Sequence, residues 1–99
     1  MIVCVTEPQI DFKYESEKWF VYIVECCDKS LYTGITNNLE KRLNKHNSGK
    51  GAKYTRARKP VTLKYYEEVD TKSIALKREI AIKKLSKNQK IRLISNFYV

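Results

Sequence analysis

Two β-rich runs, WFVYIVEC (residues 19–26) and LYTGIT (31–36), are separated only by CDKS. Valine, isoleucine and aromatic residues concentrate in both, a composition that suits a pleated, half-buried surface. Four connecting residues are too few for a parallel crossover, which takes a dozen or more. The pair is therefore an antiparallel hairpin, and the rest of the fold must be built round it. The hairpin also carries a condition. Side chains alternate with period two, so a two-residue turn at Asp28 and Lys29 puts Tyr22 and Tyr32 on opposite faces. For both to serve one site, the connection between Cys26 and Leu31 must be odd in length or bulged.

Downstream of the hairpin, Asn37 and Glu40 match a capping box, and a helix follows to about Asn47, stopped by Ser48 and Gly49. Leu39 and Leu43 define its buried stripe, with Arg42 and His46 together on one edge, one turn apart. GKGAKYTRARKP (49–60) reads as a basic loop. VTLKYYEEV (61–69) alternates Val61, Leu63 and Tyr65 against Thr62, Lys64 and Tyr66, the pattern of a third strand. DTKSIALKREIAIKKL is a second helix, capped by Asp70, Thr71 or Ser73. Ser86 caps a last helix, KNQKIRLIS, with Ile91, Leu93 and Ile94 facing inward. The order ββαβαα predicts an α+β fold, a small three-stranded antiparallel sheet flanked by helices. At 99 residues the chain supports a single core, assigned to residues 19–99, with residues 1–18 as an acidic N-terminal arm.

Charge divides the chain the same way. Residues 1–18 hold four acids against two lysines, so that residues 19–99 carry +11 of the overall +9. From Lys41 to Tyr66 there are nine lysines and arginines and no acid. Such a field favours a polyanion, because each neutralised phosphate releases condensed counterions. Nucleic acid is the expected partner. Cys4, Cys26 and Cys27 form neither a zinc-ligand spacing nor a disulfide framework and are expected as reduced thiols. No apolar run approaches a membrane span, and MIVCV is too short for a signal peptide, so a cytoplasmic location with no membrane contact is expected.

Lys50, Lys53, Arg56, Arg58 and Lys59 are placed to reach a phosphate backbone from the glycine-containing loop. The loop is not a P-loop, which requires Ser or Thr after Gly-Lys. Tyr54 either stacks on a base or anchors the loop to the core. Lys45 and Lys83 extend the basic set. From Lys72 to Arg92 there are eight basic residues and one acid, Glu79, which falls beside the apolar arc of its helix. Such a carboxylate needs a partner: an arginine, or a divalent metal held with water and a phosphate oxygen.

VYI at 21–23, followed ten residues after Tyr22 by YTG at 32–34, resembles the paired motif of the GIY-YIG nuclease superfamily. Arg42 lies ten residues beyond Tyr32, His46 four beyond that, and Glu79 in the later helix, the spacings of that family's arginine, histidine-or-tyrosine and metal-binding glutamate. GKGAKYTR and ALKREIAIKKL are similar to its small stand-alone branch. The first motif reads Phe-Val-Tyr, so only its tyrosine carries over, and Ile35 stands where many members carry lysine. The resemblance implies a metal-dependent phosphodiesterase acting on DNA. Glu79 would ligate Mg²⁺ or Mn²⁺, Arg42 would stabilise the pentacovalent phosphate, and Tyr22 or Tyr32 would take a proton from water. His46 would hydrogen-bond a tyrosine or a phosphate oxygen. The alternative is a non-catalytic nucleic-acid-binding module, for DNA or RNA, that keeps the fold. A domain this small offers little surface for reading sequence, so specificity is expected from DNA shape or a protein partner.

Overall fold

The computed structural model describes residues 18–97; Cys4 and the arm before Lys18 lie outside them. Strand β1 (Trp19–Glu25) occupies the centre of a sheet ordered β2-β1-β3, between β2 (Leu31–Thr36) and β3 (Thr62–Val69), both antiparallel to it. Helices α1 (Leu39–Asn47) and α2 (Lys53–Arg56) follow β2, and α3 (Lys72–Lys83) and α4 (Lys87–Phe97) follow β3. The α+β architecture is as expected, with one addition: the basic loop folds into the short helix α2.

The hairpin meets its condition through a three-residue turn. Cys26 and Ser30 pair through the backbone, the Lys29 amide bonds back to the Cys26 carbonyl, and Lys29 adopts a left-handed φ of 72°. This is a tight turn followed by one left-handed residue, the usual three-residue hairpin connection. Val24 therefore opposes Tyr32 and Tyr22 opposes Gly34, so both tyrosines share a face.

Each face of the sheet has its own core. Val21, Ile23 and Tyr65 are covered by Ala75 and Ile82 of α3 and by Leu93 and Ile94 of α4. On the opposite face Tyr22, Val24, Cys26 and Val61 pack with Tyr32, Leu63 and, from α1, Leu39 and Leu43. Strict alternation along β3 would have put Leu63 and Tyr65 together. A bulge intervenes: Ile23 pairs with Tyr65 but Val24 with Leu63, leaving Lys64 as the extra residue and sending the two side chains to opposite faces. Ile91, expected inward, is exposed, since the sheet is already covered by Leu93 and Ile94.

Caps define the helix ends. The α1 cap is Asn38, not Asn37; its side chain accepts from the Lys41 amide, which places Glu40 one position too early to complete a capping box. Thr71 caps α3. Ser86 and Gln89 exchange reciprocal side-chain bonds at the start of α4. Helix α1 closes with the Lys50 amide on the Lys45 carbonyl and the Gly49 amide on His46, with Gly49 at φ 84° as this motif requires. The Asn47 amide then brackets the backbone of Val61, giving to its carbonyl and accepting from its N–H at 2.7 Å, which ties α1 to the start of β3.

Candidate active site

The most buried residue of α1 is not one of its leucines but His46, with no exposed surface. Its ring meets the two hairpin tyrosines, with centroids 5.9 Å from Tyr22 and 5.6 Å from Tyr32. Nε2 lies 2.9 Å from the Tyr22 hydroxyl, and Nδ1 lies 2.8 Å from Thr55 Oγ1 of α2. Arg42 Nε donates to the Tyr22 oxygen at 3.3 Å. Two glycines make these approaches possible. A Cβ on Gly34 would sit 2.5 Å from the Tyr22 oxygen, so the ring lies directly across the β2 backbone. A Cβ on Gly51 would sit 2.4 Å from His46 Nδ1. The glycines of the basic loop thus seat His46 and end α1.

Burial sets the proton affinities. It pushes the Tyr22 phenol above its ordinary value, partly opposed by Arg42 and reinforced by the charges of Tyr32 and Glu79. Burial, with Arg42 assisting, pushes the His46 imidazole down. A neutral phenol facing a neutral imidazole is the resting state near pH 7.

Glu79 belongs to the other layer, and its charge is felt at Tyr22. Ala75 and Ile82 point α3 at the sheet, and Arg78 clasps Glu67 of β3 through both carboxylate oxygens at 2.8 and 2.6 Å. One residue further round the helix, Glu79 falls on the opposite flank, toward β2, which α3 also packs against. Its carboxylate is largely covered and pairs with Lys83 at 3.3 Å. No strand among the described residues covers the outer edge of β2. The tyrosines and Arg42 lie on one face of the sheet, and Glu79 belongs to the helix that covers the other. Among the described residues no cluster of three or more His, Cys, Asp or Glu is present, and Glu79 is the one acid within α3. A lone carboxylate suits a hard, hydrated cation that completes its shell with substrate phosphate, the habit of Mg²⁺.

The expected nucleic-acid contacts separate into two groups. Arg58 is held inside the domain: it pairs with Asp28 of the hairpin turn at 3.0 Å, donates to the Tyr54 carbonyl and lies 4.0 Å over the Tyr54 ring. Tyr54 in turn stacks near-parallel on Tyr32 at 5.9 Å. Arg58 and Tyr54 therefore fasten the basic loop to the hairpin. Lys45, Lys50, Lys53, Arg56 and Lys59 pair with no carboxylate among the described residues. A shallow groove of about 430 Å³ runs beside Arg42, lined by Asn38, Lys41, Asn44 and Lys45.

The profile of the GIY-YIG catalytic domain matches residues 18–92. The chain belongs to the GIY-YIG superfamily. A UPF0213 protein of Staphylococcus saprophyticus is 57% identical over 80% of this chain and 96% of its own length, and one of Clostridium perfringens is 60% identical over 78% and 83%. Two solution NMR structures are similar. One, of an Enterococcus (E. faecalis) protein, shares 43% identity, covers 82% of this chain and 86% of its own, and has a TM-score of 0.57. The other, of a Bacillus halodurans UPF0213 protein, shares 45%, covers 79% and 83%, and has a TM-score of 0.52. In this GIY-YIG domain Tyr22, Tyr32, Arg42 and His46 converge on one face, and the Glu79 charge on α3 is felt at Tyr22. Thr55 and Gly51 were not legible as parts of the site. Only the return of the basic loop onto α1 brings them to His46, and no periodicity encodes that. No helix among the described residues is long and apolar enough to cross a membrane.

Proposed function

We propose that this domain is a metal-dependent endonuclease that hydrolyses phosphodiester bonds in DNA, with structured or damaged DNA in repair or recombination as the substrate class. The carrying observation is the hydrogen-bonded run Arg42–Tyr22–His46 beside Tyr32 and Glu79 at an open sheet edge. Arg42 has no carboxylate partner among the described residues, so its terminal amino groups are available to the scissile phosphate, whose growing charge they stabilise. Glu79 would hold Mg²⁺ or Mn²⁺, which offsets the same charge from the opposite side. Tyr32 is half-exposed while Tyr22 is enclosed, which makes Tyr32 the tyrosine that faces the attacking water. Lys45, Lys50, Lys53 and Arg56 hold the flanking strand.

The pairing of Glu79 with Lys83 favours a second reading, a nucleic-acid-binding module that does not cut. The deciding experiment incubates the protein with Mg²⁺ or Mn²⁺ and single-stranded, duplex, nicked and branched DNA, and RNA. Cleavage abolished by Glu79→Ala, with salt-sensitive binding retained, is the expected result. If the wild type cuts none of these substrates, the binding module is the correct reading.

A further inference from the structure

The Thr55 side chain lies at the end of a hydrogen-bonded run that begins at Arg42, and donor counting gives that run a direction. Arg42 Nε can only donate, so the Tyr22 oxygen accepts from it at 3.3 Å. Tyr22 is 1% exposed, and its one proton has one acceptor in reach, His46 Nε2 at 2.9 Å. That nitrogen must be bare, which puts the imidazole proton on Nδ1, facing Thr55 Oγ1 at 2.8 Å. Thr55 accepts it and turns its own proton to the Ala52 carbonyl at 3.0 Å. In this arrangement every donor has an acceptor. The opposite tautomer aims two N–H groups at the Tyr22 oxygen and strands the phenol proton in a buried site, which costs about 1–3 kcal/mol.

We propose that Thr55 is a positioning residue: it holds the His46 proton on Nδ1, which turns the Tyr22 hydroxyl toward Nε2 and leaves the Tyr22 oxygen to orient Arg42. The logic is that of a base oriented by a third group, with an uncharged hydroxyl as the orienter. The groups facing the imidazole come from every element around it: Tyr22 from β1, Tyr32 from β2, Arg42 from α1 and Thr55 from α2. The Glu79 charge on α3 is felt at Tyr22. If Tyr22 gives up its proton, Nε2 receives it and Nδ1–H keeps Thr55 as its acceptor. The tautomer-fixing bond therefore serves both protonation states.

The catalytic consequence rests on the nuclease reading, but the tautomer does not. His46 is the chain's one histidine, so long-range ¹H–¹⁵N correlation of its ring is free of assignment ambiguity. The wild type is expected to show a protonated Nδ1, a bare Nε2 and an Arg42 Nε–H protected from exchange. Tyr22→Phe keeps the Nδ1–H form, because Thr55 still holds it. Thr55→Val mixes the tautomers and exposes the Arg42 Nε–H, and Thr55→Ser restores both. A wild-type ring protonated on Nε2, or a switch of tautomer in Tyr22→Phe, overturns the proposal even if Thr55→Val fails to fold. Where the wild type cleaves DNA, Thr55→Val lowers kcat about tenfold or more and Thr55→Ser recovers it. Absence of wild-type cleavage counts against the nuclease reading alone.

Discussion

Replacing Gly34 by alanine tests the central packing relation of the site. The new Cβ would lie 2.5 Å from the Tyr22 oxygen, 2.8 Å from Cζ and 3.2 Å from Cε2. The ring cannot simply swing away. It is enclosed, its hydroxyl is bonded to His46 and Arg42, and its other neighbours belong to the core of that face. Overpacking of this kind costs about 1–3 kcal/mol. Displacing the hydroxyl strands two buried polar groups for about 1–3 kcal/mol more. The sum, about 2–6 kcal/mol, is a large share of the 5–15 kcal/mol typical of a small domain. At about 4–8 °C per kcal/mol the midpoint should fall by at least about 8 °C, read by circular dichroism in thermal and urea unfolding. Tyr22→Phe supplies the internal control, because it removes the closest atom while leaving the 2.8 Å clash with Cζ. Gly34→Ala should therefore cost about 1 kcal/mol less in that background. A variant that melts within about 2 °C of the wild type, or an equal penalty in both backgrounds, refutes the reasoning.

Thr33 is buried, and its hydroxyl has no hydrogen-bond partner among the described residues; Thr33→Val should raise the melting point by several degrees, and a loss of stability would reveal a bound water. Because the folded His46 pKa lies below its unfolded value near 6.5, the unfolded chain binds more protons as pH falls. The stability that His46 supports is complete above about pH 6.5 and declines below it, down to the folded pKa; urea unfolding of His46→Gln should lack that step. Lys83 competes with a cation for the Glu79 carboxylate, so Lys83→Met should tighten Mn²⁺ binding to the nucleic-acid-free protein about two- to tenfold by calorimetry. Unchanged affinity would remove Lys83 from the metal's surroundings.

Much of this fold follows from local pattern. The hairpin, the Thr71 and Ser86 caps and the third strand each rest on residues within a few positions of one another. The parity condition on the turn was also legible, since it follows from period two and the need to bring both tyrosines together. What escaped were relations set by distant chain. Lys64 became a bulge because β1 has faces of its own to satisfy, so the alternation of Val61, Leu63 and Tyr65 was misleading. Periodicity ranked Leu39 and Leu43 above His46, yet the imidazole is buried because Tyr22 and Thr55 answer both of its nitrogens. Nothing local in the sequence pointed from Arg58, expected at a phosphate, to its ion pair with Asp28 thirty residues away.

The β2 edge is where so small a domain would assemble the proposed two-sided site. An unpaired edge strand is ordinarily a liability, inviting another chain to pair with it. Here its middle residue is Gly34, and the missing side chain lets a tyrosine from the central strand lie across the backbone toward the margin. A bulkier residue would confine Tyr22 to the core and separate it from Arg42 and His46. The glycine therefore converts a buried aromatic into a bridge between the core and the edge. Helices α1 and α3 cover opposite faces and cannot meet through the sheet; α1 packs on the face of Tyr22 and Tyr32, and α3 packs against both β1 and β2. On the proposed nuclease reading, a phosphate at this margin would meet Arg42 from one layer and Glu79, holding its cation, from the other. Arg42 and Glu79 form no ion pair with each other, so both charges would remain for the substrate and its cation.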